Sequence, residues 1–243
     1  MPNENTQMKV LYLLPNLFTA ASIFLAILSL LASVKGDFEK AGWLIVLAAV
    51  FDTLDGRVAR LTKTTSRFGA EFDSLADVIA FGLAPAMLLY FAHGINHGKF
   101  GILAAALFVI FGAVRLARFN VTAPETGPNV FVGLPIPSAA IFLVTWVLLM
   151  DHYDLGRPFD IALLLAAIFL AAMMVSHVRY PSFKRIDFHS TRFIRVLLLL
   201  IVLASLIYLY PLRMVTLIIT LYVLWGPARA LYHLLRRKGR PAT

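Results

Sequence analysis

Four aspartates carry the first chemical signal: Asp52, Asp55, Asp73 and Asp77, spaced i, i+3 and i, i+4 inside two otherwise apolar segments. With Gly56, Ala59, Arg60 and Gly69 they form the run D-x2-D-G-x2-A-R-x8-G-x3-D-x3-D. A charged side chain at a bilayer midplane costs roughly 3 kcal/mol on insertion scales, so four carboxylates require a compensating charge. No His or Cys stands in the run, and oxygen-only ligands point to hard divalent cations, Mg²⁺, Mn²⁺ or Ca²⁺, rather than zinc. Carboxylates at i, i+3 and on a facing helix can bridge two ions a few ångströms apart, the arrangement that clamps a phosphoryl group. Gly56 and Gly69 remove side chains beside the acids, and the guanidinium of Arg60 can grip phosphate oxygens as a fork.

Helices must position these groups. At about 100° per residue, Asp52, Asp55, Gly56, Ala59 and Arg60 fall on one stripe. Ser66, Gly69, Asp73 and Asp77 repeat the device on the next segment, and the turn Leu61 to Arg67 is short enough to make the two helices antiparallel neighbours. Facing stripes would then converge all four carboxylates on one cavity. The competing structural reading pairs Asp52 or Asp55 with Arg57, Arg60 or Arg67 and uses the glycines for close packing. It leaves more acids than well-placed bases.

Of 243 residues, 60% are hydrophobic and 14% charged, with a mean hydropathy of +0.82, more apolar surface than a water-soluble fold can hide. The expected fold is an all-α polytopic membrane protein with about eight transmembrane helices, near 15–34, 39–60, 69–93, 100–119, 132–150, 158–178, 192–209 and 212–233. Placing both termini in the cytoplasm puts 17 of the 22 Lys and Arg residues on or near the inner side, as the positive-inside rule requires. The active site then faces the cytoplasm, in the cell membrane. The net charge of +9 is explained by that face and by phosphate-bearing substrates, and no nucleic acid is implied. Residues 1–14 read as an N-terminal interfacial segment, with Pro15 opening the first span. Residues 234–243 read as a basic C-terminal tail, and 1–243 as one catalytic membrane domain. The first span is long and lacks a small-residue cleavage site, so it reads as a retained helix. Cysteine is absent, which excludes disulfides and thiolate ligands.

The acidic run resembles the signature of the CDP-alcohol phosphotransferase family at every fixed position. The strings Pro15-Asn16-Leu17-Phe18-Thr19, Asp73-Ser74-Leu75-Ala76-Asp77, Arg115-Leu116-Ala117-Arg118-Phe119-Asn120 and Gly133-Leu134-Pro135-Ile136-Pro137 are similar to its prokaryotic phosphatidylserine synthase branch. The resemblance implies transfer of a phosphatidyl group from CDP-diacylglycerol to L-serine, releasing CMP, by a homodimer. It implies that Asp52 and Asp73 bridge two metals, that Asp55 completes the first site, and that Asp77 touches the second and acts as general base. It further implies that Gly56, Arg60 and Ser66 contact the CDP part of the lipid, with Pro15, Asn16, Leu17 and Phe18 lining the same pocket. A serine hydroxyl needs a positioned base to become a good nucleophile, so the assignment is chemically sensible.

Arg115, Arg118, Asn120 and Lys184 are candidates for holding the serine carboxylate or a headgroup, although inner-loop cations are expected in any case. Other acceptors (glycerol 3-phosphate, an inositol phosphate, choline), an ether-lipid donor, and an ion-coupled transporter remain as alternatives. The transporter reading expects a second acidic pair matching the first inside an apolar span, and no matching pair follows residue 132. Asp151, His152, Asp154 and Asp160 read as a solvated turn rather than a metal cluster, and His93 and His97 as water-facing residues at a span end. Trp43, Trp146 and Trp225 read as interface anchors or packing groups.

Overall fold

The computed structural model describes residues 4–62, 64, 66–122, 130–155, 158–181 and 193–238. Its helices are α1 (Glu4–Val34), α2 (Phe38–Leu61), α3 (Arg67–Asp77), α4 (Ala84–Leu89), α5 (Lys99–Thr122), α6 (Ile136–His152), α7 (Pro158–Val175), α8 (Phe193–Leu209) and α9 (Pro211–Lys238). Two wide π-helical turns, Val78–Leu83 and Tyr90–Gly94, and a 3-10 turn, Ile95–His97, join α3 and α4 into one helical rod from Arg67 to His97. Five helices among the described residues are long and apolar enough to cross a membrane: Leu13–Val34, Arg67–His97, Lys99–Val121, Pro158–Val175 and Pro211–Ala230. Large apolar side chains such as Phe24, Ile102, Leu165 and Leu217 are exposed on them, as lipid-facing surfaces require. An integral membrane protein follows.

Three findings correct the sequence reading. Pro15 lies inside α1, not at its start, and the helix begins at Glu4 with no break from the segment expected to lie separately in the interface. A proline costs a helix one backbone hydrogen bond, which apolar spans tolerate. The second correction is a two-stranded antiparallel ribbon, Val130–Val132 with Arg179–Pro181, on an otherwise helical chain. It ties the link after α5 to the link after α7, so the all-α expectation holds for the bundle and not for these links. The third concerns Asp160, His93 and His97, and is taken up with the site.

α1 and α2 form an antiparallel pair, since a contact late in α1 falls early in α2 and two contacts earlier in α1 fall late in α2. Ser29 Oγ donates to the Ala41 carbonyl at 2.8 Å, the Phe18 and Phe51 rings meet at a tilt with centroids 5.9 Å apart, and Thr19 meets Asp55. Buried Ala26, Ala41, Ala48 and Ile45 let these helices approach closely. Asp37 caps α2, accepting from the Lys40 N–H at 3.2 Å, and Ser66 caps α3, accepting from the Gly69 N–H at 3.0 Å. The caps fix where both acidic helices begin.

Phe81, Phe108, Leu134, Ile136, Leu143, Leu164 and Met174 fill the centre between the rod, α5, α6 and α7. Gly133 admits no side chain: it has φ +81, and a Cβ there would stand 2.2 Å from the Met174 carbonyl oxygen. Arg118 closes the same corner, its guanidinium donating to the carbonyls of Val175 (2.8 Å), Val132 (3.2 Å) and Ser176 (3.3 Å). Together they hold the ends of α5, α6 and α7 in register.

Candidate active site

The two helical rows converge. Asp52 and Asp55 come from α2 and Asp73 from α3, and one carboxylate oxygen of each lies within 4.8 Å of the others. Asp77, one turn beyond Asp73, lies within hydrogen-bonding reach of Asp52. Asp73 Oδ1 and Asp77 Oδ1 are buried without a hydrogen-bond partner. None of the four makes an ion pair within 4 Å among the described residues, so the salt-bridge account of these acids fails. Crowded carboxylates in a poorly hydrated site are costly unless a cation lies between them. The fit is to a divalent metal: an all-oxygen donor set, two orphaned oxygens and excess negative charge at one point.

Asp55 is held from behind. Thr19 Oγ1, on α1 and 3% exposed, donates to Asp55 Oδ2 at 2.7 Å. Partners of this kind orient metal-binding carboxylates, and their loss costs about 10- to 100-fold in metal affinity. Thr19→Val is therefore expected to raise the Mg²⁺ concentration for half-maximal activity by about tenfold or more, while Thr19→Ser stays near wild type. A metal titration of activity checks both. Equal behaviour of the Val and Ser variants would remove the hydroxyl from the account.

A cavity of about 260 Å³ opens beside the acids, lined by α1, α2, α3 and the turn between α2 and α3. Of the residues expected to meet a nucleotide, Pro15, Asn16, Gly56, Arg60 and Ser66 line it together with Asp55 and Asp73. A Cβ at Gly69 would stand 3.1 Å from Ser66 Oγ and 3.4 Å from Asn16 Oδ1, and one at Gly56 3.6 Å from the Arg60 guanidinium. Both glycines thus keep polar groups close to a ligand. Leu17 and Phe18 are not on the cavity wall: Leu17 is exposed, and Phe18 is turned onto Phe51. Helical spacing explains this, because four consecutive residues cannot share one face. Thr19, Thr64 and Ala70 line the cavity without having been singled out as ligands. The only sequence trace of Thr19's role is its place in the string that begins at Pro15.

Asp77 does not line that cavity. It faces Arg115 on α5, whose guanidinium is close enough to interact electrostatically with it. Arg115 is 6% exposed, its Nε has no hydrogen-bond partner, and it sits 5.6 Å from the Phe119 ring centroid. The other headgroup candidates are placed differently. Arg118 is engaged with the backbone carbonyls described above, Asn120 Nδ2 donates to Ser74 Oγ at 3.0 Å, and Lys184 lies outside the described residues. The acids thus separate two polar environments, one around Arg60 and one around Arg115.

The histidine reading changes. Asp151, His152 and Asp154 are exposed, as a solvated turn requires, but Asp160 is buried. Its Oδ1 lies 2.8 Å from His93 Nδ1 and its Oδ2 3.5 Å from His97 Nε2, pinning the end of the rod to the start of α7. His93 is buried as well, not water-facing. Sixty-odd residues separate the partners, so no local spacing announces them. Trp43 and Trp225 are exposed, as interface anchors are, whereas Trp146 donates to Thr220 Oγ1 at 3.0 Å across α6 and α9.

Comparison with known proteins gives the same direction. A family model described as CDP-alcohol phosphatidyltransferase matches residues 12–226. The chain is 48% identical to a CDP-diacylglycerol–serine O-phosphatidyltransferase of Helicobacter pylori, over 91% of this chain and 92% of that protein. It is 40% identical to a protein of the same description from Methanocaldococcus jannaschii, over 65% of this chain and 69% of that one. An archaetidylserine synthase of Methanothermobacter thermautotrophicus is 38% identical over 69% of each.

Proposed function

We propose that this chain, which belongs to the CDP-alcohol phosphatidyltransferase family, transfers the phosphatidyl group of CDP-diacylglycerol to the hydroxyl of L-serine, giving phosphatidylserine and CMP. The observation that carries the reading is the gathering of Asp52, Asp55 and Asp73 from two helices, with Asp77 within reach of Asp52 and no ion pair within 4 Å to any of the four among the described residues. Relatives named for this reaction support serine as acceptor.

Asp52, Asp55, Asp73 and Asp77 would hold two divalent cations, Mg²⁺ or Mn²⁺ with Ca²⁺ as a further occupant. When bound, such ions neutralise the pyrophosphate and the charge developing on the transferring phosphoryl group. The chain's own residues do the rest. Arg60, Ser66, Gly56 and Asn16 hold the CDP moiety in the cavity they line, with Arg60 donating to phosphate oxygens. Asp77 accepts the proton of the serine hydroxyl as its oxygen bonds to the phosphatidyl phosphorus and the bond to the CMP oxygen breaks. Arg115, buried beside Asp77 with an unpartnered nitrogen, is the group best placed to bind the serine carboxylate. Asn120 and Lys184 remain secondary candidates, and Arg118 serves chiefly as a brace.

The fold that performs this is one catalytic membrane domain of eight spans. Its termini and active site face the cytoplasm, and the working unit is a homodimer in the cell membrane. The bias of Lys and Arg to one side supports the orientation.

The test is CMP release from CDP-diacylglycerol by purified protein against a panel of acceptors. L-serine is expected to stand alone above background, with glycerol 3-phosphate, inositol phosphate and choline inactive. An acceptor that outruns serine reassigns the substrate, and release from an ether-linked donor alone reassigns the lipid.

A further inference from the structure

A second cavity, of about 330 Å³, lies at the other end of the bundle between the start of α2, the end of α6 and the junction of α8 with α9. Glu39 on its wall stands about 20 Å along α2 from Asp52 at 1.5 Å per residue, so this cavity is separate from the acidic centre. We propose that it binds a phospholipid headgroup bearing both a phosphate and an ammonium group.

The argument begins with Arg213. Its Nε donates to the Tyr153 hydroxyl, and its guanidinium carbon lies 5.1 Å from the Tyr153 ring centroid and 5.4 Å from that of Tyr210. The fork is thereby fixed in orientation, and its two terminal nitrogens have no hydrogen-bond partner among the described residues. Two carboxylates, Glu39 and Asp151, line the same cavity. Neither pairs with Arg213 within 4 Å. Tyr153 and Tyr210 hold the guanidinium between their rings and the cavity. A ligand carrying opposite charges joins the two halves, its phosphate on the Arg213 fork and its ammonium between the carboxylates and the exposed face of Trp43.

Lipid is the source that the surroundings favour. The lining includes apolar Leu148, Leu209 and Leu212, and exposed Leu47 lies on the adjoining surface that shares Glu39 and Trp43 with it. Trp43, Tyr153 and Tyr210 form the kind of aromatic belt found where hydrocarbon meets headgroups. The volume falls within the range of small-molecule sites, about 300–1,000 Å³.

Native mass spectrometry of the full chain in detergent, titrated with phosphatidylethanolamine or phosphatidylglycerol, tests this without reference to catalysis. The ethanolamine lipid is expected to be retained about tenfold better than the glycerol lipid, which has the phosphate but no ammonium. Glu39→Gln with Asp151→Asn, both exposed positions, brings the two lipids level, whereas Arg213→Gln weakens both and Arg213→Lys weakens them less. Free phosphoethanolamine displaces the lipid only at concentrations about a hundredfold higher, because it lacks the apolar part. Equal retention of the two lipids by wild type, a preference that survives the double carboxylate change, or equal loss in the two Arg213 variants overturns the proposal. Phosphoethanolamine acting as strongly as the lipid overturns the lipid assignment.

Discussion

Asp77→Asn is expected to reduce CMP release by about 10²- to 10⁴-fold, the usual contribution of a positioned general base, while Mn²⁺ still binds. The amide keeps the size of the side chain and its reach to Asp52 but cannot take a proton from the acceptor hydroxyl. Asp52, Asp55 and Asp73 retain their mutual spacing within 4.8 Å, so a cation site survives the change. Single-turnover CMP release and Mn²⁺ binding, measured on the same preparation, separate the two properties. Near-normal turnover in the variant would move the base to another residue and leave Asp77 as a ligand only.

Asp73→Asn should act on both properties. Asp73 stands electrostatically beside both Asp52 and Asp55, and its Oδ1 is buried without a partner, so it is the carboxylate most dependent on a shared cation. Losing it is expected to lower turnover by about 10³-fold or more, since metal stabilisation of transition-state charge is worth several kcal/mol. Without metal the sign reverses. Removing one of four crowded like charges relieves repulsion, so the variant stripped by EDTA is expected to melt at a higher temperature than stripped wild type. Adding Mg²⁺ should stabilise wild type more than the variant, because ligand binding to the folded state raises its apparent stability. Melting curves with and without Mg²⁺ check the crossover. If Mg²⁺ shifts both proteins equally, the acids do not form the cation site.

The acidic rows were legible in the sequence because two physical facts coincide there. Charges are rare in apolar spans, and i, i+3 and i, i+4 spacing places them on one face, so Asp52, Asp55, Asp73 and Asp77 could be expected to meet. Asn16 was indicated only by the resemblance of the string that begins at Pro15, whereas Gly56, Arg60 and Ser66 were legible on the same stripes. The start of α1 was not, because proline's preference for a first turn outweighed the small cost of one lost hydrogen bond inside an apolar helix. Nor were His93 and Asp160: a contact between distant residues leaves no local pattern, and each alone looks like a wet span end. Arg118 had the residue type of a substrate ligand, but its donors go to three backbone carbonyls, which only the meeting of the α5, α6 and α7 ends could reveal. Thr19 was masked by chemistry, since a hydroxyl in an apolar helix commonly bonds its own backbone, as this one also does with Pro15.

The π-helical turn Val78–Leu83 begins immediately after Asp77. One additional residue in a turn advances every later side chain by about 100° around the axis, so the two halves of the rod run out of phase with each other. The half that carries the acids packs on α1, while the half beyond packs on α1, α2, α5 and α6 and its last turns reach α5 and α7. A chain shortened by one residue at Ile79 would keep its carboxylates in place and swing His93 away from Asp160. Ala80, Phe81 and Gly82 of this stretch are buried, so its length sets the phase of the rod while its side chains fill the centre of the bundle.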